Sequence, residues 1–284
     1  MIRNNILKLI RYSGLPFLRR NIFQKNKVTI VYYHRIAADV FDKHLAQLKK
    51  YFSIISLQSY LKGETKRIKN RLVITFDDGH VSNFALLPVL RKHNVQVTIF
   101  LTAGLIGTKK HFWFLTAGLT DGYKKIIKQL PDEERLKILA EKYGFADNRE
   151  YDHAQALNLE QLNAMKDYVD FQSHTFTHPC LPQCSDEKVL REIRVSKDHL
   201  EKLLNKEINC IAFPNNDYTE REIRMSLESG YEYLLTGISG FNHDEAKCFL
   251  LKRISTNDTA DLNELLLRVT GIWKLLKLFI KKDN

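Results

Sequence analysis

The sequence predicts an α/β protein with a parallel sheet. Three segments rich in β-branched and aromatic residues, 28–33, 72–76 and 95–101, are typical of buried strands, and the residues between them have helical spacing. Such a β-α-β-α-β order favours parallel strands joined by right-handed crossovers. With 284 residues, of which 44% are apolar, the chain is long enough to bury a sizeable core in one large domain or two small ones.

The alternation of strands and helices is interrupted at residues 104–156. This stretch is predicted to be mostly helical and no Pro/Gly/Ser-rich linker flanks it, so we expect an insertion rather than a separate domain. Asn158 is a typical N-cap for the helix that follows. The predicted helices cover residues 41–52, 82–93 (with Pro88 inside), 121–130, 132–143, 159–167, 186–204, 220–229 and 261–269, and the later strands residues 169–173, 208–213, 233–236 and 249–254.

Most of the net charge of +11 lies at the two ends of the chain. Residues 1–27 contain seven Lys or Arg and no acidic residue, and residues 271–284 contain four Lys and one Asp, so residues 28–270 are nearly neutral. A nearly neutral body argues against a nucleic-acid enzyme, which needs a basic working face. Both ends have the pattern of basic amphipathic helices, which either lie on an anionic membrane surface or pack their apolar stripe on the domain.

The sequence predicts a cytoplasmic protein. It contains no apolar run long enough to cross a membrane, and its first residues lack the apolar core and the cleavage site of a secretory signal. The four cysteines, at positions 180, 184, 210 and 248, are too few and too scattered for a disulfide framework. The basic ends leave open a peripheral position at the inner face of the cytoplasmic membrane.

Two adjacent carboxylates, Asp77 and Asp78, directly follow the predicted buried strand 72–76, and Gly79 comes next. Charged side chains are rarely removed from water unless they are paired or bind a metal ion. A solvated Asp-Gly turn that ends the strand is the alternative explanation. The choice between the two depends on whether other metal-binding residue types occur in the chain.

Two histidines, His174 and His178, supply such residues in a turn that follows strand 169–173. Imidazoles at this spacing can reach one metal ion, and with one carboxylate they form a site with positions left for water and substrate. These ligands suit Zn²⁺, Co²⁺, Ni²⁺ or Fe²⁺ and do not choose among them. A pair of surface histidines is one alternative, and a zinc site with Cys180 and Cys184 is a minor second one.

The two motifs together resemble the signatures of the polysaccharide deacetylase (NodB-homology) family of metal-dependent carbohydrate esterases. TFDDG at 75–79 is similar to the first signature of the family, and SHTFTH at 173–178 is similar to the second, in the same order. The resemblance extends from about Val28 to Ser255 and includes the Phe112-Trp113 pair.

The resemblance implies a distorted (β/α) barrel with seven strands. The barrel would cover residues 28–270, with the helical insertion at about 104–156. The basic segments 1–27 and 271–284 would flank it at the two ends.

The resemblance also implies a role for each residue of the two motifs. Asp78, His174 and His178 would bind the metal ion, usually zinc, and Asp77 would be the general base that takes a proton from the attacking water. Gly79 would let the backbone turn tightly beside the site, where a neighbouring amide could hold the oxyanion. The residues expected near the substrate are Gly79, Trp113, Pro214 and Asn215.

The chain departs from the family pattern at two places. Where the third signature commonly has Tyr and Gly after its proline, this chain has AFPNND at 212–217, so the substrate groove near Pro214 is expected to differ. The late Leu-x-His motif that supplies the general acid in many members is absent from its expected place, where LLKRI stands at 250–254.

One branch of the family, which acts on exopolysaccharide amino sugars, has a histidine in a Tyr-His pair on the first strand. Tyr33-His34 is similar to this pair, so His34 is the candidate general acid, with a buried structural histidine as the alternative. Arg253 either orients Asp77 and lowers its pKa or forms an ion pair elsewhere. His243 is a weaker candidate for the acid.

These expectations define an N-deacetylase that acts on an amino sugar of a bacterial surface polysaccharide, or on its lipid- or nucleotide-linked precursor. The expected cofactor is a divalent metal ion, usually Zn²⁺, and the expected partner is a glycan or glycolipid rather than a nucleic acid. Two alternatives stay open at this point. One is a glycan-binding protein of the same fold without turnover, and the other is a hydrolase of a non-sugar amide.

Overall fold

The fold is built around a mostly parallel sheet. The apolar segments predicted as strands form this sheet and are buried on both of its faces, as is typical of parallel strands. The computed structural model describes residues 2–243, 249–256, 258–259 and 261–280. The strands within these residues are β1 (Lys27–Tyr33), β2 (Ser53–Ile54), β3 (Arg71–Phe76), β4 (Val97–Leu101), β5 (Val169–Ser173), β6 (Cys210–Ala212), β7 (Tyr233–Leu235), β8 (Asn242–His243), β9 (Leu250–Leu251) and β10 (Ile254–Ser255).

Helices connect most of the strands and lie at both ends of the described chain. Their starts follow ordinary capping rules, since Ser185, Thr219 and Asp261 each accept a backbone N–H of the helix that follows. The α-helices are α1 (Ile2–Tyr12), α2 (Leu15–Leu18), α3 (Ala38–Leu48), α4 (Leu57–Leu61), α5 (Leu87–His93), α6 (Asp121–Ile127), α7 (Asp132–Tyr143), α8 (Leu159–Met165), α9 (Asp186–Leu204), α10 (Glu220–Glu228), α11 (Leu262–Val269) and α12 (Ile272–Ile280).

Eight strands follow one path around the sheet, in the order β10-β1-β3-β4-β5-β6-β7-β9, and neighbours on this path are parallel. β2 adds a parallel pair to β3, and β8 pairs antiparallel with the start of β1. Only Lys252 and Arg253 separate β9 from β10 in the chain, so the two ends of the path nearly close a barrel. The predicted α/β barrel is confirmed, and its seven strands correspond to this path when β9 and β10 count as one interrupted strand.

The two faces of the sheet contribute to different cores, because alternate residues of a strand point to opposite faces. In β1, Val31 and Tyr33 belong to the large core under the helices, whereas Val28 and Ile30 belong to a smaller core inside the barrel. Tyr60 of α4 packs in this inner core and donates its hydroxyl to a carbonyl of β8 at 2.9 Å, beside the start of β1. Helix α4 therefore closes the barrel at the amino ends of the strands.

Two predicted elements differ from the structure for identifiable reasons. The predicted helix 82–93 starts as a 3₁₀ turn, and α5 begins only at Leu87 because Pro88 fits the first turn of a helix better than its interior. The predicted strand 249–254 is interrupted at Lys252, whose backbone N–H and carbonyl both bond to the side chain of Asn242 instead of to a neighbouring strand.

Residues 104–156 contain α6 and α7 and pack around a small apolar cluster. Trp113, Ile127 and Leu139 of this region share the cluster with Cys180, which follows the predicted metal-binding histidines closely in the chain. The insertion therefore packs against the turn that carries these histidines.

The two ends of the described chain meet at one side of the barrel. Leu7 of α1 packs against Leu267 of α11 and Ile272 of α12, and Arg11 donates a hydrogen bond to Asn263 at 2.9 Å. Among the described helices, we find none with the length and apolar composition needed to cross a bilayer.

We expect Asn158→Ala to lower the free energy of unfolding by about 1 kcal/mol. Asn158 and Gln161 form a reciprocal capping box at the start of α8, the helix that leads into β5. Asn163→Ala, at an exposed position of the same helix, removes an identical side chain that caps nothing and serves as the control. Urea unfolding followed by circular dichroism measures both variants, and equal stabilities would contradict a role for the cap.

Candidate metal centre

The predicted site residues gather at the carboxyl ends of the strands. Asp77 and Asp78 directly follow β3, His174 directly follows β5, and Arg253 lies between β9 and β10. The carboxyl ends of parallel strands lie at one rim of a barrel, which is why residues far apart in the chain meet there. This rim lies opposite the end that α4 closes.

Asp78, His174 and His178 form a buried cluster whose geometry suits one metal ion. The Nε2 atoms of the two histidines each lie 3.4 Å from Oδ1 of Asp78, and the three candidate ligand atoms all lie within 4.8 Å of one another. Ligands bound tetrahedrally at 2.0–2.1 Å would lie about 3.3 Å apart. The donor set therefore fits a divalent cation, and among the described residues it is the one group of three that does.

The protonation states of the cluster also suit metal binding. Nδ1 of His174 lies 2.7 Å from the Ala212 carbonyl and donates to it in the tautomer that leaves Nε2 free as a ligand. Burial lowers the pKa of His178 to about 4, so this imidazole is neutral near pH 7. Burial raises the pKa of Asp78. When the Nε2 atoms of the two imidazoles carry protons instead of a metal ion, their hydrogen bonds to the carboxylate outweigh this effect and hold the pKa well below its usual value.

The backbone at the candidate ligands has a conformation that residues other than glycine rarely adopt. Asp78, Thr175 and His178 have φ values of 73°, 66° and 61°, in the left-handed region. Such a conformation in a β-branched residue such as Thr175 is uncommon and costs about 1–3 kcal/mol. Gly79 also has positive φ, and a Cβ there would lie 2.6 Å from a methyl group of Leu101. Tight turns at both motifs therefore aim the ligands at one point.

Two residues outside the ligand set hold the histidine turn in place. The buried carboxylate of Glu192, on α9, accepts the backbone N–H groups of Phe176 and Thr177 at 2.9 and 2.7 Å. Trp113, only 3% exposed, donates its indole N–H to the carbonyl of His178 at 2.9 Å. The family resemblance included Glu192 in the helix after the histidines, but sequence reasoning gave it no role.

Asp77 forms a bidentate ion pair with Arg253, and both side chains are buried. The guanidinium donates to the two carboxylate oxygens at 2.7 and 2.9 Å. Burial raises the pKa of Asp77, but the charge and hydrogen bonds of Arg253, together with other nearby positive groups, outweigh this effect and the pKa is lowered. Asp77 is therefore ionised near neutral pH, and each of its oxygens keeps a second lone pair that can accept a proton.

Arg253 is fixed by two further residues that sequence reasoning missed. Its guanidinium lies 4.5 Å from the centroid of the Tyr32 ring and 3.4 Å from Oδ1 of Asn216. Asn216 donates its amide to the Tyr32 hydroxyl at 3.1 Å, and a Cβ on Gly237 would clash with its side chain. The sequence offered no signal for Asn216 beyond its place beside the predicted Asn215.

His34 is exposed, which contradicts the alternative of a buried structural histidine. His34 directly follows β1, just as Asp77 directly follows β3, and the register of these two parallel strands pairs Tyr33 with Phe76, so His34 lies beside Asp77. It opens onto a cleft of about 580 Å³, which is also lined by Arg35, Ile36, Ala37, His80, Ser82 and Asp258.

The residues predicted to lie near the substrate have different surroundings. Pro214 is buried and Trp113 contacts the histidine turn, whereas Asn215 is partly exposed and donates to Sγ of Cys180 at 3.6 Å. Gly79 is buried, and its N–H donates to the Asp77 carbonyl at 3.0 Å, so this amide is not free for an oxyanion. Substrate contact by these residues stays a prediction.

Two weaker sequence-based candidates lie outside the site. His243 pairs with Lys27 at the amino end of β1, about 20 Å along the strand from the rim, so its proposed role as an acid is wrong. Neither Cys180 nor Cys184 joins the ligand cluster, and burial raises the pKa of Cys184 to about 12. A protonated thiol is a poor zinc ligand, which argues against the Cys/His site. Cys248 lies outside the described residues.

Comparisons with known proteins agree with this fold. A family model described as polysaccharide deacetylase matches residues 64–234. YxkH of Bacillus subtilis strain 168, whose name places it in the same family, is 22% identical over 195 residues, which cover 68% of this chain and 54% of that protein. The chain therefore spans about half the length of this relative.

Two solved structures are similar in fold. The deacetylase PplD of Streptococcus pyogenes, solved with acetate, has a TM-score of 0.61 at 21% identity, over 85% of this chain and 99% of that one. IcaB from Ammonifex degensii has a TM-score of 0.63 at 15% identity, over 86% of this chain and 97% of that one.

The barrel and its Asp/His/His cluster place the protein in the class of α/β barrels with a candidate metal centre at the carboxyl ends of the strands. The match of the family model over more than half of the sequence is more specific, and the chain belongs to the polysaccharide deacetylase family. Members of this family are hydrolases that act on amide bonds.

We expect Trp113→Phe to weaken zinc binding about tenfold, because it removes the hydrogen bond that holds the carbonyl of His178. Competition with a chromophoric chelator measures the affinity. Trp273→Phe, on α12, is the matched control and should bind zinc as the unchanged protein does. Equal affinity in all three proteins would show that the indole does not position the ligand.

Proposed function

We propose that this protein removes an N-acetyl group from an amino sugar, with Asp78, His174 and His178 as the metal ligands. The substrate is a bacterial surface polysaccharide or its lipid- or nucleotide-linked precursor. The observation that carries the proposal is the buried ligand cluster next to a second, separately paired carboxylate, Asp77. Family membership supports the same reaction class.

The two carboxylates have different tasks in this proposal. A divalent cation, usually zinc in this family, would polarise the acyl carbonyl and lower the pKa of a water molecule. Asp77 acts as the general base, and Arg253 keeps it ionised and fixes both of its oxygens. Asp78 binds the metal ion in this proposal, so it cannot act as the general base in place of Asp77.

His34 is the proposed general acid that protonates the leaving amine. Its exposure on the cleft gives a substrate access to the ring, and its position beside Asp77 supports a place next to the reacting bond. A histidine can donate a proton near neutral pH because its ordinary pKa lies close to that range.

The decisive experiment separates the base from the ligands. We expect Asp77→Asn to keep one equivalent of zinc and to lose at least about a hundredfold in turnover, since general bases contribute this much or more. Asp78→Ala and His174→Ala should lose the metal and the activity together. Metal content is measured by mass spectrometry, and acetate release is measured on acetylated amino-sugar oligomers.

The outcomes also separate the competing functions. A protein that binds glycans and zinc but releases no acetate from any acetylated sugar would be a glycan-binding relative. Release from simple amides but not from sugars would favour a hydrolase of non-sugar amides. A chain that binds no divalent ion near neutral pH would contradict the mechanism as a whole.

We also propose that the basic ends hold the protein at the inner face of the cytoplasmic membrane. Leu7 is the buried apolar contact of α1, but large apolar side chains from position 6 to position 23 are exposed, with Leu9 75% and Ile22 64% accessible. An exposed apolar surface surrounded by Lys and Arg is typical of peripheral contact with anionic lipids. The exposed residues in this stretch are Ile6, Leu9, Tyr12, Leu15, Phe17, Leu18, Ile22 and Phe23.

We expect the protein to co-sediment with phosphatidylglycerol vesicles at low salt and less so at high salt. The triple variant Leu9→Ser, Phe17→Ser and Ile22→Ser should bind more than about tenfold more weakly, because each apolar side chain would be buried in the bilayer interface. The control places the same change at three exposed apolar sites elsewhere, Ile126, Leu159 and Ile238. Equal binding by the two triple variants would rule out the surface.

A further inference from the structure

Lys128 is a cation of the insertion that the proposed mechanism does not use. It follows the last residue of α6, its side chain is partly buried, and its Nζ lies 6.0 Å from the centroid of the Trp113 ring. Trp113 in turn donates its indole N–H to the carbonyl of His178. One aromatic ring therefore separates the ammonium from the turn that carries a metal ligand.

Lys128 has no hydrogen-bond or ion-pair partner for its side chain within the described residues. Burial lowers the pKa of Lys128, and the carboxylates of Asp78 and Asp217 are among the groups that oppose this shift. The carboxylate of Asp217, on the loop after Pro214, lies more than 4.0 Å from the ammonium of Lys128, so the two do not form an ion pair. The insertion and this loop thus present opposite charges around the site without neutralising each other.

The charges at this rim favour a negatively charged ligand. Asp77 is neutralised by Arg253, and a divalent cation would offset the charges of Asp78 and Asp217. The positive charge of Lys128 then remains, in a partly desolvated position where an ion gains more from a partner than it would in water. An anion close to the acyl group would supply that partner.

We propose that Lys128 is a specificity-determining residue, which binds an anionic group carried by the amino-sugar substrate close to its acyl amide. The group is a phosphate or a carboxylate, since either can accept hydrogen bonds from an ammonium. This inference rests on the proposed deacetylase function and narrows its substrate class. Residues at the rim of the barrel catalyse the reaction, and Lys128 of the insertion determines which substrate binds.

The test compares a neutral sugar with two anionic ones. The probes are N,N′-diacetylchitobiose, UDP-N-acetylglucosamine and a disaccharide that contains N-acetylmuramic acid. We expect Lys128→Gln to weaken binding of an anionic probe about tenfold or more, and to raise its KM with little change in kcat. Binding of the neutral probe should stay within about twofold. Calorimetry on zinc-loaded Asp77→Asn protein measures binding, and acetate release from the protein with Asp77 intact measures turnover.

Two variants distinguish a specific contact from general electrostatics. Lys125→Gln removes the same charge from an exposed position of α6 and should leave all three probes unchanged. Lys128→Arg keeps the positive charge and should retain most of the anionic preference. The arm that responds, UDP-N-acetylglucosamine or the muramic acid disaccharide, identifies phosphate or carboxylate as the group.

The result that would overturn the inference is an equal effect of Lys128→Gln on neutral and anionic probes, or an equal effect of Lys125→Gln. If no probe is deacetylated, the proposed function fails, but the binding experiment still decides the role of Lys128. A preference for an anionic probe that depends on Lys128 supports the inference, and the lack of such a preference contradicts it.

Discussion

Two adjacent buried carboxylates at the end of β3 set the conditions that the rest of the site must meet. A buried carboxylate without a partner would take up a proton rather than remain charged. Arg253 supplies the partner for Asp77 through two hydrogen bonds, and the imidazoles of His174 and His178 supply it for Asp78. Because their partners differ, the neighbouring carboxylates of Asp77 and Asp78 can have different chemical roles. One carboxylate is held in an ion pair, and the other faces a position that a cation can fill.

The ligand geometry depends on strained backbone that other elements hold in place. The backbone of Asp78, Thr175 and His178 lies in the left-handed region, which is unfavourable for residues with a side chain. Contacts with other elements must therefore stabilise these turns. The turn of the histidines is held by the carboxylate of Glu192 from one side and by the indole of Trp113 from the other. The geometry of the candidate metal centre thus depends on α9 and the insertion as well as on the sheet.

The parts of this structure that could be predicted are those whose signals are local. Short stretches of sequence are enough to predict the apolar strand before Asp77 and the histidine pair after β5. They also predict the boundaries of α7 and α9. The partner of Arg253 lies 176 positions away and depends on the closure of the barrel, so local patterns left two possibilities open. The position of His243 depends on β8 pairing with the opposite end of β1, which no local pattern announces.

The insertion cannot vary independently of the candidate metal centre, because it shares a core with the turn that carries His174 and His178. Trp113 contacts the backbone of His178 with its indole N–H, packs in the same cluster as Cys180, and lies beneath the ammonium of Lys128. A change in the insertion that alters the surface toward the substrate therefore also alters the support of a metal ligand. The sheet fixes the carboxylates, but the second half of the centre is positioned by the segment that we infer to select the substrate. This coupling explains why an insertion without a barrel strand of its own packs so closely against the site.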